Sequence, residues 1–259
     1  MYDFLQNEEH AIPWEQVACL LRRHIAAHQW RSVLLIPPDI TRSHSGAGRI
    51  TALYYEELTK RGCTVKVLPA LGTHVPMTSD ELRQMFDESI PMDSYLTHDF
   101  RTSITEIGSV PAQVMFRLSE GLFDRSVPVS INRELLNPDY DAILSIGQVI
   151  PHEIAGMANY TKNIVVGCGG GEMINVSHFL GVFYGLERLL GTDRNPVRNL
   201  FDYVQEHLMA DLPLIFVQTV MEQIDGQDCY KGVFVGEGRK PYEEAAALSR
   251  RVNFNVVER

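Results

Sequence analysis

The chain has 259 residues, 45% hydrophobic and 22% charged, which suits a globular protein able to bury one sizeable core. A formal net charge of -10 disfavours nucleic acid and anionic membranes as partners, although loop or helix-start N–H groups could still hold a phosphate locally. The N-terminal MYDFLQNEEHAIPWEQ lacks the basic and apolar regions of a signal peptide, and no run nears about 18 apolar residues, so no membrane span is expected.

In chain order, Pro13 opens an amphipathic helix whose apolar face is Trp14, Val17, Ala18, Leu21 and Ile25. SVLLI, 32–36, is a short apolar strand, followed by the loop PPDITRSHSGAG. Ile50, Leu53, Tyr54 and Leu58 mark a helix that Gly62 ends. A strand at 64–71 runs into GTH, and Thr78 with Glu81 has capping-box spacing for the next helix. Further strands are expected at 94–97, 127–131, 142–146, 164–166, 212–217 and 232–235, and helices near 178–190 and 197–209. Strands alternating with helical patterns predict a layered α/β domain with a mostly parallel sheet flanked by helices. Cys19, Cys63, Cys168 and Cys229 form no CxxC pair, in keeping with inert thiols in a reducing cytoplasm.

The polar chemistry falls at strand ends. Asp39, Thr41 and Arg42 follow the first strand of this pattern, His74 the second, His98 and Asp99 the third, and His152 the strand at 142–146. In open α/β sheets the carboxyl ends of strands border the ligand crevice, so these four loops are expected to converge. A plain loop with Asp39 capping a turn and Arg42 in a surface ion pair is the alternative at 39–42. His10, His24, His28, His44 and His207 receive no role; the i, i+4 pair His24 and His28 sits at a helix end that favours cations anyway.

The densest stretch is 147–181, with His152, Lys162, the glycine loop 167–171 and His178 close together. A glycine loop leading into a helix start, with Gly169, Gly170 and Asn175 near it, would cradle a nucleotide phosphate; it also fits a mere flexible turn. His178 is expected in the first turn of a helix N-capped by Asn175 or Ser177, where the dipole keeps an imidazole neutral and able to bind metal.

DITR, GTHVPMTSDEL, HD, GQVIPHEIAGM, TK beside the glycine loop, and SHFLG occur in the order seen in the lactate racemase family, and the chain resembles that family's N-terminal catalytic domain. The resemblance implies racemisation or epimerisation of a 2-hydroxy acid, lactate or a sugar acid. The cofactor would be nickel in pyridinium-3,5-bisthiocarboxylic acid mononucleotide, the nickel-pincer nucleotide. By motif, His74 and His152 would be the paired acid and base, and Lys162 the residue that can attach to the cofactor. His178 would ligate nickel, Arg42 would lie near the substrate carboxylate, and Asp39 and Thr41 would line the cofactor site. Hydride transfer to a cofactor carbon avoids a carbanion, and a base on each face allows inversion. Imidazole, titrating at about 6.5, and the forked guanidinium suit those tasks.

Two departures qualify the resemblance. Family members acting on lactate carry Gly-Gly before the lysine, whereas this chain has MANYTK, so Asn159 and Tyr160 should reshape the wall and favour another substrate. Residues 1–238 are expected to form the catalytic domain, with 239–259 starting a connection toward the family's C-terminal domain, absent here. The implied partners are the substrate and cofactor-synthesis proteins; an oligomer stays open. Two rival readings are an inactive nucleotide-binding fragment and a zinc hydrolase using His74, His152 and His178.

Overall fold

The computed structural model describes residues 2–254. The chain begins with β1 (Asp3–Gln6), α1 (Trp14–Ala26), β2 (Ser32–Ile36), α2 (Ala47–Lys60), β3 (Thr64–Val67) and α3 (Ser79–Phe86). An excursion follows, made of β4 (Ile104–Val110), α4 (Ala112–Leu118) and β5 (Val127–Asn132). Then come β6 (Ala142–Gln148), the short pair β7 (Pro151–His152) and β8 (Gly156–Met157), and helices α5 (Thr161–Val165), α6 (Gly171–Tyr184), α7 (Leu186–Leu189) and α8 (Pro196–Leu208). The hairpin β9 (Leu214–Ile224) and β10 (Gln227–Gly236) leads into α9 (Lys240–Asn253).

The central sheet has strand order β1-β10-β9-β6-β2-β3. Strands β3, β2, β6 and β9 are mutually parallel, and β10 and β1 add an antiparallel edge. Strand β2 is apolar throughout because both its faces are covered: Val33 and Leu35 enter the core under α1, α2 and α3, while Leu34 and Ile36 enter the core under α5, α6, α8 and α9. From β2 the chain moves out to β3 on one side and returns as β6 on the other. The carboxyl ends of β2 and β6 therefore part at a topological switch point, the usual place for a ligand crevice in such a sheet.

Several expectations require correction. Residues 94–97 are no strand: a 3-10 turn, Met92–Ser94, precedes an isolated bridge from Tyr95 to Val67. The apolar run 164–166 belongs largely to α5, since a short β-branched run has no periodicity to separate strand from buried helix. Strand β5 is present but pairs antiparallel with β4 in a separate two-stranded sheet. The β9–β10 hairpin turns at Asp225–Gly226, both at positive φ, a turn chemistry that matches the twist of antiparallel strands. Helix α9 packs on β9 and β10 with Tyr242, Ala245 and Ala246 fully buried, so it is part of this body and not a connection outside it. Residues 255–259 of that segment lie outside the described residues. No described helix is long and apolar enough to cross a membrane.

Candidate active site

A cleft of about 290 Å³ opens at the switch point. One wall comes from the loops after β2 and β3. Asp39 caps a 3-10 turn, Ile40–Ser45, and its Oδ1 accepts hydrogen bonds from the Thr41 amide at 3.0 Å and from the Thr41 hydroxyl. Its Oδ2 accepts from Nδ1 of His74 in a short contact. Because the carboxylate can only accept, His74 carries a proton on Nδ1, and its Nε2 is left free of this bond. Arg42 borders the same cleft with no ion-pair partner among the described residues, so the surface ion pair considered for it is not formed.

The opposite wall is the segment between β6 and α6. His152, buried on β7, accepts at Nδ1 from the amides of Ile154 at 3.1 Å and Ala155 at 3.4 Å. A ring that accepts at Nδ1 holds its proton at Nε2. Burial, and then the charges of Lys162 and Arg42, push this imidazole down to about 2, so it stays neutral. Lys162 stands in the first turn of α5; burial first, then Arg42 and Arg198, lower its amine to about 8. His178, exposed on α6, donates from Nδ1 to the Ile174 carbonyl at 2.7 Å and leaves Nε2 free. That carbonyl fixes the tautomer a metal-binding imidazole needs.

The cleft gathers Asp39, Thr41, Arg42, His74, His152, Lys162 and His178. Three expected convergences do not occur. His98 is buried against the side-chain amide of Asn132 at 3.1 Å, and Asp99 caps its own turn by accepting from the Arg101 amide at 2.8 Å, so neither borders the cleft. The amides of Gly169 and Gly170 already donate to Val166 and Ser130, and a Cβ at Gly169 would lie 1.8 Å from the Val165 carbonyl; this glycine pair serves a tight turn, not a phosphate cradle. Asn175 faces a separate pocket with Phe123, Arg125 and Phe179.

The helix carrying His178 also starts earlier than expected. Its N-cap is Gly170, which places the histidine two turns inside, beyond the reach of the dipole argument. Asp39 lines the cleft as expected, and there its oxygens accept from Thr41 and from His74.

Sequence reasoning passed over Gln148 and Asn163, which also line the cleft. The Asn163 side-chain amide donates to the Ile36 carbonyl at 3.1 Å and to the Ser145 hydroxyl at 2.9 Å, tying α5 to the ends of β2 and β6. Its only sequence signal was its place beside Lys162.

Chemically, the cleft offers a base at His74, a neutral donor at His152, an amine with lowered basicity, a free guanidinium for an anion and one imidazole lone pair for a metal. No group of three or more His, Cys, Asp or Glu side chains among the described residues could hold a metal ion.

No curated protein matches the sequence. Among solved structures, a Thermotoga maritima protein from a structural genomics programme superposes with a TM-score of 0.87 at 23% identity, over 96% of this chain and 61% of that one. The lactate racemase apoprotein of Thermoanaerobacterium thermosaccharolyticum superposes with a TM-score of 0.67 at 20% identity, over 88% of this chain and 51% of that one. The chain thus spans between half and two thirds of these structures, and at such identities they establish the fold alone. The model of the lactate racemase N-terminal domain matches residues 21–187, well over half of the sequence, and the chain belongs to that family.

Proposed function

We propose that this chain is the cofactor-holding part of a nickel-dependent 2-hydroxyacid racemase or epimerase. The observation that carries the reading is the convergence of the Asp39–His74 pair, Arg42, His152, Lys162 and His178 on one cleft at the switch point. The residues fit the nickel-pincer nucleotide: His178 would ligate nickel through Nε2, and Lys162 would anchor the nucleotide. When bound, that group would supply an electrophilic carbon able to take a hydride from C2 of the substrate and return it to the opposite face.

The chain's own residues do the rest. Arg42 fits a substrate carboxylate, lactate or a sugar acid, because its fork bonds both oxygens at once. His74 Nε2 takes the hydroxyl proton and returns it, with Asp39 holding the ring and stabilising the imidazolium that forms. His152, expected as the paired acid or base, instead lends a hydrogen bond to the same oxygen from the other wall, because its buried ring accepts at Nδ1 and keeps its proton at Nε2. A zinc hydrolase is disfavoured by the lack of a three-ligand group among the described residues.

The test is native mass spectrometry and metal analysis of protein co-expressed with cofactor-synthesis proteins, its expected partners. Nickel with a nucleotide-sized mass is the expected result, with the nickel lost in His178→Ala and any covalent adduct lost in Lys162→Ala. Nickel content unchanged in His178→Ala would remove that residue from the site, and zinc alone would remove the reading.

A further inference from the structure

We propose that Arg198 is a positioning residue: its buried guanidinium clamps the left-handed turn at Asn159–Tyr160 and thereby fixes the Lys162 amine in the cleft. Asn159 has φ 60° and Tyr160 φ 57°, a region that asparagine tolerates and a bulky tyrosine does not, directly before the helix that carries Lys162. Such a turn persists only where its surroundings hold it.

Arg198, fully buried on α8, supplies the hold. It donates to the Asn159 carbonyl at 3.2 Å, to the Thr161 hydroxyl at 2.9 Å and to the Met157 carbonyl. Three acceptors from one turn thus meet one planar fork, a match that the three donors of an ammonium do not reproduce. Thr161 passes its own proton to Asp202 at 2.8 Å, and Asp202 pairs with Arg239 ahead of α9. Two rings complete the clamp: Tyr160 stacks on Tyr242 with centroids 4.8 Å apart, and the Arg198 guanidinium lies over Tyr242 at 4.9 Å. Beyond the lysine, the side-chain amide of Asn163 fastens α5 to the sheet. Lys162 is therefore pinned from both sides, and the charge of Arg198 lies near enough to favour its uncharged form. The inference rests on the placement of Lys162 in the cleft and does not need the racemase reading.

The experiment is acylation of the full cofactor-free chain with acetic anhydride across a pH series, with labelling at Lys162 followed by peptide mass spectrometry. Only the free amine reacts, so the rate profile reports both basicity and presentation. In Arg198→Gln, labelling of Lys162 near neutral pH should fall about threefold or more and the profile should shift upward, whereas Arg198→Lys, which keeps the charge but not the fork, should lower the labelling rate by about threefold with little shift of the profile. Leu200→Ala, a destabilising change on the same helix, should lower Tm and leave the profile in place. If Arg198→Gln does not fold, Thr161→Val decides, because it removes the hydroxyl shared by Arg198 and Asp202 without changing charge. A wild-type Lys162 profile in the folded variants would overturn the proposal, as would an equal shift in Leu200→Ala.

Discussion

His74 and His152 face one cleft from opposite walls, and their surroundings have little in common. The His74 side chain is 56% exposed and bonded to a carboxylate, whereas that of His152 is 8% exposed and bonded to two backbone amides. A carboxylate partner fixes the proton at Nδ1, and amide partners fix it at Nε2. The second ring nitrogen, Nε2, is therefore left free to accept on one wall and is a donor on the other. Two histidines in one site need not be equivalent bases: at rest this pair combines a base with a neutral hydrogen-bond donor. The walls differ in their support as well. The first rests on apolar packing under three amphipathic helices, while the second rests on a buried polar network around Arg198, Asp202 and Thr161.

The contrast is broken most directly by kinetics. On the proposed racemase reading, cofactor-loaded His74→Ala should lose about 10²-fold or more in kcat with a chiral 2-hydroxy acid, the usual scale for a general acid–base group. His152→Gln keeps a neutral N–H donor and should lose only about tenfold, as expected of a hydrogen bond and not a proton carrier. Racemisation followed by chiral chromatography measures both. Equal losses of about 10²-fold would show that both histidines carry protons.

Acid sensitivity sharpens the comparison next. His152 is neutral in the fold, its value pushed down to about 2, and His24 in the core of the first wall is pushed down to about 4, burial being the first cause for each. The unfolded chain binds a proton at either residue below about pH 6.5, so it gains protons relative to the folded state as pH falls. Stability should then decline below that point, by up to about 1.4 kcal/mol per pH unit for each histidine. The His24 contribution is complete near its folded value of about 4, and that of His152 continues below it. Urea unfolding at several pH values should show a shallower decline in His152→Gln. The paired change His24→Leu with Tyr54→Phe removes both ends of a 3.0 Å buried hydrogen bond and should also flatten the slope. An unchanged slope in either variant would place the acid sensitivity elsewhere.

These two walls were not equally legible in the sequence. The helices of the first wall announced themselves by spacing, as with Val17, Leu21 and Ile25, and its capping box formed as expected. Its pairing of Asp39 with His74 spans 35 positions, and nothing local encodes it. On the second wall, local rules met competing tertiary demands. The run at 164–166 looked like a strand, yet α5 forms because Asn163 and the packed core hold it. The glycines at 169 and 170 resembled a phosphate loop, but they answer to close backbone approach. Arg198 carried no signal at all, since an arginine in an amphipathic helix is ordinarily solvated. The Asp225–Gly226 pair is a hairpin signal that the expected strands at 212–217 and 232–235 left unread, and it lies outside the site.

The smallest expected effect tests whether the first wall is as self-sufficient as its geometry implies. Helix α3 begins just after the His74 loop, and its capping box is complete: the Thr78 hydroxyl accepts from the Glu81 amide at 3.3 Å, and Glu81 accepts from the Thr78 amide at 2.7 Å. Thr78→Ala removes one half of this exchange and should lower stability by about 1 kcal/mol, measured by urea unfolding. His74 itself is held by Asp39, which is held in turn by Thr41, and none of these bonds passes through α3. The proposed racemisation should therefore stay within about twofold of wild type, since lost cap energy alone leaves a stable fold and an unmoved His74. A loss of about tenfold or more would mean that the start of α3 positions His74, and the first wall would then depend on its surroundings as closely as the second.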